Sequence, residues 1–364
     1  MEGPHRLALL AQVKVAQPTN ILIVLHGAIG DVVRALPLAV RIKKAWPETR
    51  ITWSVEPIAS DILIGHPAID ELLIFNRSGG FKEFRAFQKL VRSKKFDLVL
   101  DLQRHLKSGL VSKSSGAPVR LGFHPANSKE LNFLFSNRRI DKFPSYFSKI
   151  HHYQKFGDLL GLPPSEPLEF GLSFTKETID NVDSALRAAC LVSEAPLPGP
   201  EKRVAILLGS SWKSRRWTSD AWAVVCEKIV SEFHALPIFC GSAQDEPQAE
   251  EIARRLKLSE YASVVGRTNL RELGYLLSQV KSAVSMDSGP MHLASAVGTK
   301  VVSLWGPTDP RKSAPYGSEN LAIQSAIGCN PCWRRECPGL QTLCLSAIPP
   351  EVVMLRLGEI HAQG

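Results

Sequence analysis

The chain has 364 residues, of which 44% are hydrophobic and 22% charged, with a net charge of +9 and a pI near 9.2. This composition excludes a disordered or fibrous chain, and the length predicts two domains. No apolar run reaches the roughly 18 to 20 residues of a membrane-spanning helix. Residues 1–19 lack a secretory signal pattern, so we expect a flexible N-terminal extension on a cytoplasmic protein.

The first half alternates short aliphatic runs with longer helical patterns, which is typical of a parallel sheet with crossover helices. We expect strands at residues 21–25, 50–55, 71–75, 96–101 and 119–122. A helix is predicted over residues 32–45. Residues 127–146 lack clean periodicity and are predicted to form a mobile loop.

The second half repeats this rhythm, with strands expected at residues 203–208, 236–240, 262–265, 282–285 and 300–304. The fold class is therefore α/β, with two Rossmann-like, doubly wound domains facing a central crevice. The proline-rich residues 193–200 suit an interdomain linker between domains 20–192 and 201–348. Residues 349–364 are expected to hold a terminal helix that packs back across the hinge.

The first predicted strand runs directly into Gly27, Gly30 and Asp31. Asp31 either caps the following helix or serves as a functional carboxylate, because the carboxyl ends of strands in open α/β sheets face the ligand crevice. The Gly-x-x-Gly-Asp spacing differs from the Gly-x-Gly-x-x-Gly dinucleotide fingerprint, which argues against a dehydrogenase.

Two later loops also follow strands. Asp287, Ser288, Gly289 and His292 begin a helix whose exposed N–H groups suit a diphosphate. The alternative is that this turn, and the one at residues 305–310, are ordinary caps.

A third loop carries Ser210, Ser211, Lys213 and Arg215, whose hydroxyls and cations suit phosphate oxygens. Asp245, which follows another strand, is a candidate for ribose hydroxyls.

Residues 103–155 contain ten basic residues against only Glu130 and Asp141. This stretch is either an anion-facing surface or an ordinary solvated face. It lacks the interleaved aromatics of nucleic-acid binders, so no nucleic-acid partner is expected.

From Asn20 to about Leu345 the sequence resembles the lipopolysaccharide heptosyltransferases of glycosyltransferase family 9. The resemblance is carried by short motifs along the chain: Gly30-Asp31 with Leu36-Pro37, Lys107-Ser108, Arg215-Arg-Trp217, Gly266-Arg-Thr268, Asp287-Ser-Gly-Pro-Met-His292 and Gly306-Pro-Thr-Asp-Pro310.

This resemblance implies a GT-B fold and an inverting transfer of heptose from ADP-heptose to the inner core of lipopolysaccharide. The acceptor would be Kdo-lipid A or heptosyl-Kdo-lipid A, reached at the cytoplasmic face of the inner membrane. Asp31 matches the proposed general base, and Arg215 stands where a phosphate-contacting lysine is usual. Gly30, Arg104, Lys107 and Arg120 are the acceptor-side candidates.

No two aspartates are separated by a single residue, so we expect a metal-independent reaction that requires no cofactor. The cysteines Cys329, Cys332, Cys337 and Cys344 lie within sixteen residues. They form a structural zinc site, a set of free thiols or a disulfide. Rival interpretations are a transferase or epimerase for another nucleotide sugar, and a catalytically silent scaffold that binds glycolipid.

Overall fold

The computed structural model describes residues 17–190, 197–257, 260–338 and 343–362. Within these ranges the chain forms two six-stranded parallel sheets, each with helices packed against it. Residues 1–16 of the predicted extension and residues 193–196 of the predicted linker lie outside the described residues.

The N-terminal sheet contains β1 (Asn20–Val24), β2 (Arg50–Val55), β3 (Glu71–Ile74), β4 (Leu98–Asp101), β5 (Val119–Gly122) and β6 (Arg138–Arg139). Its strand order is β3-β2-β1-β4-β5-β6. The helices of this half are α1 (Ile29–Ala45), α2 (Pro57–Ser60), α3 (Gly80–Ser93), α4 (Leu106–Ser114) and α5 (Lys149–Leu159), and α6 (Lys176–Ala189) follows them.

The C-terminal sheet contains β7 (Arg203–Leu207), β8 (Leu236–Cys240), β9 (Ala262–Ser263), β10 (Ser282–Met286), β11 (Lys300–Trp305) and β12 (Ala322–Gln324). Its strand order is β12-β11-β10-β7-β8-β9. The helices are α7 (Ser219–Phe233), α8 (Glu246–Arg255), α9 (Leu270–Ser278), α10 (Gly289–Ala296), α11 (Pro310–Ser313), α12 (Leu343–Ser346) and α13 (Pro350–His361).

Every strand predicted from the sequence is present, with its ends moved by at most two residues. Sequence analysis missed β6 and β12, which are two and three residues long and only partly buried or exposed. A strand this short carries too little alternation to stand out from a loop. Part of the predicted loop over residues 127–146 is therefore an edge strand.

The two sheets share one connectivity, because each places its first and fourth strands side by side at its centre. The strand order reverses between β1 and β4 and again between β7 and β10. Ligands of open α/β sheets bind outside the carboxyl ends of the strands at such a switch point. The loops after these four strands are therefore the expected place for a ligand.

Two helices pack differently from the sequence prediction. Helix α6 packs against α9 of the C-terminal half, and Asn181 donates a 2.9 Å hydrogen bond to Glu272. The chain therefore crosses from the N-terminal half to the C-terminal half before α6, upstream of the predicted linker. Helix α13 packs on α7, where His361 stacks on Phe233 at 4.4 Å, rather than crossing the hinge as predicted.

Among the described residues, no helix is both long enough and apolar enough to cross a bilayer.

Candidate active site

Hydrogen bonds join the switch-point loops of each sheet. In the N-terminal half, Gln103 Oε1 after β4 accepts a 2.9 Å hydrogen bond from the backbone N–H of His26 after β1. In the C-terminal half, Ser210 Oγ after β7 donates a 3.5 Å hydrogen bond to the carbonyl of Asp287 after β10. Each domain therefore presents one connected polar surface to the crevice.

Asp31 lies in the first turn of α1, but it is not the residue that caps the helix. The N-cap position is Ala28, and no side chain caps this end. The Asp31 carboxylate instead pairs with Arg34 Nη2 at 2.6 Å and with Lys149 Nζ at 3.3 Å. The interpretation of Asp31 as a capping residue is therefore wrong, and its side chain stays 24% exposed at the crevice.

The surrounding charges determine the ionisation of this cluster. Burial opposes ionisation of Asp31, but the cations Lys149 and Arg34 outweigh it and hold the pKa of the carboxyl group well below its usual value. The Asp31 charge raises the pKa of Lys149, whereas burial and Arg34 lower it further, to about 8. At neutral pH the structure thus presents an ionised carboxylate beside two cations.

Arg34 also connects the two domains. Its Nη1 atom donates a short hydrogen bond to Nε2 of the buried His292 in α10. Because burial and the Arg34 charge keep the pKa of His292 well below its ordinary value, the ring is neutral. A guanidinium can only donate, so Nε2 is the acceptor and the ring proton lies on Nδ1. His292 was predicted to contact the donor; the structure turns its Nε2 towards the first domain instead.

The first turns of α1 and α10 meet at two glycines. A Cβ at Gly30 would lie 2.6 Å from His292 Cδ2, and a Cβ at Gly289 would lie 2.8 Å from the Cβ of Ile29. Both positions therefore need glycine for the two helices to approach. Gly30 and Gly289 were predicted to bind acceptor and donor, and their observed contacts are between the domains.

Helix α10 begins where the sequence predicts a helix, at Gly289. Ser288 is the N-cap residue, but its side chain does not cap the helix, so the first-turn N–H groups are available to a ligand. The Asp287 carboxylate accepts a 2.8 Å hydrogen bond from Thr308 and pairs with Arg215 at 3.2 Å. These contacts bring together the loops after β7, β10 and β11.

Arg215 places a positive charge beside Asp287, at the start of α10. Its guanidinium lies 3.8 Å from the centre of the Trp212 ring, and its Nη1 donates to the Asp287 carbonyl at 3.2 Å. Burial lowers the pKa of Arg215, and the Asp287 charge opposes that effect. Lys213 is different, because its exposed ammonium lies 3.8 Å from Glu336, and Ser211 is also exposed.

Asp245 has a structural role in this fold. Its Oδ2 accepts hydrogen bonds from the backbone N–H and the hydroxyl of Ser242 at 2.9 and 2.8 Å, which forms a capping box. The side chain is buried beside Gly209. The predicted contact with ribose hydroxyls competes with these bonds, so the geometry does not favour it.

The acceptor-side cations fall into two groups. Arg104 lies near the Asp31 cluster, with its guanidinium 5.2 Å from the Phe123 ring, and it adds to the positive potential at Lys149. Lys107 is exposed. Arg120, in contrast, donates to the carbonyls of Ala117 and Phe135 at 2.6 and 2.9 Å. Arg120 therefore stabilises a loop, and few of its N–H groups remain to bind an acceptor substrate.

Four of the cysteines share one place in the fold. Cys329, Cys332, Cys337 and Cys344 line a common cavity of about 20 Å³. All the cysteines of the chain are free thiols, which does not support the disulfide alternative. No three ligand side chains within the described ranges are already arranged to hold a metal ion.

Sequence reasoning missed three contributors to the site: Arg34, Lys149 and Thr308. Lys149 was only one of many cations in the basic stretch, and it lies 118 positions from Asp31. Arg34 carried a usable signal, because it follows Asp31 by one helical turn and such pairs interact. Thr308 belongs to the Gly306–Pro310 motif, but its hydrogen bond to Asp287 depends on tertiary packing.

Two Rossmann-like domains that face one crevice, with the Asp31 carboxylate on one side and the uncapped start of α10 on the other, have the architecture of a GT-B glycosyltransferase. Residues 84–342 match the model of glycosyltransferase family 9 (heptosyltransferase). The chain belongs to this family and is a transferase.

One curated relative is similar in sequence, and two solved structures share the fold. The lipopolysaccharide core heptosyltransferase OpsX of Haemophilus influenzae is 28% identical over 303 residues, which cover 83% of each chain. A family 9 glycosyltransferase from Veillonella parvula superposes with a TM-score of 0.81 at 18% identity, covering 95% of this chain and 98% of its own. The structure of Escherichia coli heptosyltransferase WaaC with ADP-2-deoxy-2-fluoro heptose superposes with a TM-score of 0.70 at 21% identity. The match covers 93% of this chain and 99% of that chain.

Proposed function

We propose that the protein transfers heptose from ADP-heptose to an inner-core sugar of lipopolysaccharide. The observation that carries this proposal is the contact chain Asp31–Arg34–His292, which links the carboxylate of one domain to the first turns of α10 in the other. A base and a diphosphate seat held on opposite sides of one crevice are the two parts that sugar transfer needs. The named relatives supply the identity of the sugar and of the acceptor.

In the proposed reaction an acceptor hydroxyl attacks the anomeric carbon of the sugar. Asp31 takes the hydroxyl proton, a C–O bond forms, and the bond from the anomeric carbon to the diphosphate breaks. Because attack comes from the face opposite the departing ADP, the configuration inverts. Lys149 and Arg34 hold the Asp31 carboxylate in place.

The departing diphosphate gains negative charge, which the C-terminal domain is suited to stabilise. The first-turn N–H groups after Ser288 present the positive end of the α10 dipole. Arg215 supplies a fixed guanidinium, held by Asp287 on one side and Trp212 on the other. In the proposed reaction these groups balance the charge of ADP, and no metal ion is needed.

A surface beside the crevice suits contact with an anionic membrane at the cytoplasmic face. Leu106, Leu131 and Leu134 are 43%, 62% and 63% exposed on neighbouring segments. These segments are tied together, since Glu130 accepts a hydrogen bond from the Leu106 N–H. Lys107 and Lys129 flank the leucines. Apolar side chains among cations are the usual composition of an interfacial anchor.

The experiment that tests this function offers the purified protein a panel of nucleotide sugars with defined truncated lipopolysaccharides. We expect transfer from ADP-heptose and little from UDP- or GDP-sugars. Transfer of another sugar would overturn the donor assignment. ADP binding without any transfer would favour the silent scaffold.

A further inference from the structure

Helix α11 of the C-terminal half lies against the N-terminal half. It packs beside α5, and the guanidinium of Arg311 lies 5.8 Å from the centre of the Tyr146 ring. The next residue, Lys312, is partly buried, and its ammonium lies 5.2 Å from the centre of the Trp333 ring. Trp333 is fixed in turn, because its N–H donates a 2.8 Å hydrogen bond to the Pro307 carbonyl. Lys312 is therefore a positioned cation at the boundary between the two halves.

Two cations of the N-terminal half lie near Lys312. The Lys129 N–H donates a 3.1 Å hydrogen bond to the Arg104 carbonyl, and the Arg104 guanidinium lies 5.2 Å from the centre of the Phe123 ring. Burial lowers the pKa of Lys312 below its usual value, and the charges of Arg104 and Lys129 lower it further. The three cations are thus close enough to repel one another. We call Arg104, Lys129 and Lys312 the cation cluster.

The acids near the cation cluster are already engaged. Asp309 pairs with Arg311 at 2.7 Å, and the Asp31 carboxylate is shared by the two cations described above. Among the residues that the structure describes, no member of the cation cluster forms an ion pair with an acid. Positive charges that converge without an anion cost free energy, because like charges repel one another. A ligand with a negative group removes that cost.

We propose that the cation cluster binds one anionic group of the acceptor, a phosphate or a carboxylate, and that Lys312 thereby makes the C-terminal half part of the acceptor site. Lysine and arginine donate short, strong hydrogen bonds to both kinds of anion. Because the cluster takes members from both halves, a bound acceptor also holds the two halves together. The assignment to the acceptor rests on the proposed function, whereas the anion site itself does not.

The place of the cation cluster favours the acceptor over the donor. The proposed site for the donor diphosphate is the start of α10, where Arg215 pairs with Asp287. The cation cluster lies on the side of the proposed base instead, since Arg104 adds to the positive potential at Lys149, the partner of Asp31. An anion bound there belongs to the molecule whose hydroxyl group Asp31 deprotonates.

The anion site can be tested without any transfer reaction. Full-length protein with ADP present is treated with acetic anhydride in inorganic phosphate, or in chloride at the same ionic strength, and mass spectrometry measures the acetylation of each lysine. We expect phosphate to slow the acetylation of Lys312 several-fold. Lys257 is the control, because it is exposed and precedes β9, at the edge of the sheet away from the crevice. Equal rates at Lys312 in phosphate and chloride would overturn the anion site.

The acceptor assignment is tested by kinetics with ADP-heptose and Kdo-lipid A. Lys312→Gln should raise the KM for the acceptor roughly 10- to 150-fold, the scale of a hydrogen bond to a charged group, while ADP affinity is retained. Lys312→Arg should restore most of the loss, and Lys257→Gln, with the same change in charge, should behave as wild type. If the bound group is a phosphate, removing the acceptor's phosphates abolishes the difference between wild type and Lys312→Gln; a persisting difference identifies a carboxylate.

The two experiments separate the anion site from the proposed function. Phosphate protection of Lys312 together with an unchanged acceptor KM in Lys312→Gln would overturn the assignment to the acceptor. Wild-type protein that is protected by phosphate but transfers no heptose would overturn the proposed function, and with it the acceptor assignment, but not the anion site.

Discussion

Lys149 Nζ lies 3.3 Å from Asp31 Oδ1, although 118 positions separate the two residues. The pair joins the start of α1 to the start of α5 at the mouth of the crevice. Since Lys149 has a pKa of about 8, its charge changes within the pH range of an ordinary assay. The role of Lys149 in orienting the proposed base can therefore be tested by measuring activity against pH.

The first prediction concerns the alkaline limb of the pH profile. Below pH 8 Lys149 is charged and holds Asp31; above pH 8 it loses its proton, so we expect kcat/KM to fall as pH rises through about 8. Lys149→Arg keeps its charge at every accessible pH, and its alkaline limb should disappear. Lys113→Arg, at an exposed site on α4, is the control and should keep the limb. A profile unchanged by Lys149→Arg would contradict this role.

The second prediction separates the two cations of the loop after β7. Arg215→Ala should weaken ADP binding by about 1.5 to 3 kcal/mol, which is roughly 10- to 150-fold, because it removes a hydrogen bond to a charged group. Lys213→Ala should change ADP affinity little, since its ammonium is exposed and lies near Glu336. Calorimetry measures both. Equal losses in the two variants would show that general charge, and not the Arg215 geometry, attracts ADP.

The third prediction concerns the contact between the domains. A methyl group at Gly30 would meet His292 at 2.6 Å, so Gly30→Ala should force α1 and α10 apart. We expect turnover to fall by roughly 10- to 100-fold through misplacement of the reacting groups, while ADP affinity is retained. Gly358→Ala, where an added Cβ meets nothing within 4 Å, is the control. Normal turnover in Gly30→Ala would show that the crevice does not need this close approach.

The sequence was sufficient for most of the fold, because long aliphatic strands such as β1 and β10 carry strong local signals. It also pointed to Asp31, Arg215 and Asp287, since each lies in the loop or the first helical turn that follows a strand. It misjudged side chains whose direction depends on distant partners. Asp245 is held by Ser242, and Arg120 is held by backbone carbonyls. No local sequence pattern distinguishes a side chain that is hydrogen-bonded within the fold from one that is free to bind a ligand.

The fourth prediction tests the membrane surface. Binding to vesicles that contain anionic lipid should weaken as salt rises, because exposed charges are screened over about 8 to 10 Å near physiological ionic strength. The double variant Leu131→Ser, Leu134→Ser should bind vesicles more weakly. Leu355→Ser changes an equally exposed leucine on α13 and should bind as wild type does. Cosedimentation measures all three, and equal binding by all would exclude this surface as the anchor.

The fifth prediction, and the most direct test of the account, is the turnover of Asp31→Asn at saturating donor and acceptor. Asparagine has nearly the same shape but cannot accept the proton. It also leaves Lys149 and Arg34 without their carboxylate, so some loss of thermal stability is expected. Retained ADP affinity serves as the folding control. The account predicts that kcat falls by about 100-fold or more. A variant that binds ADP normally and keeps more than about a tenth of wild-type turnover, well short of that loss, would show that the base lies elsewhere.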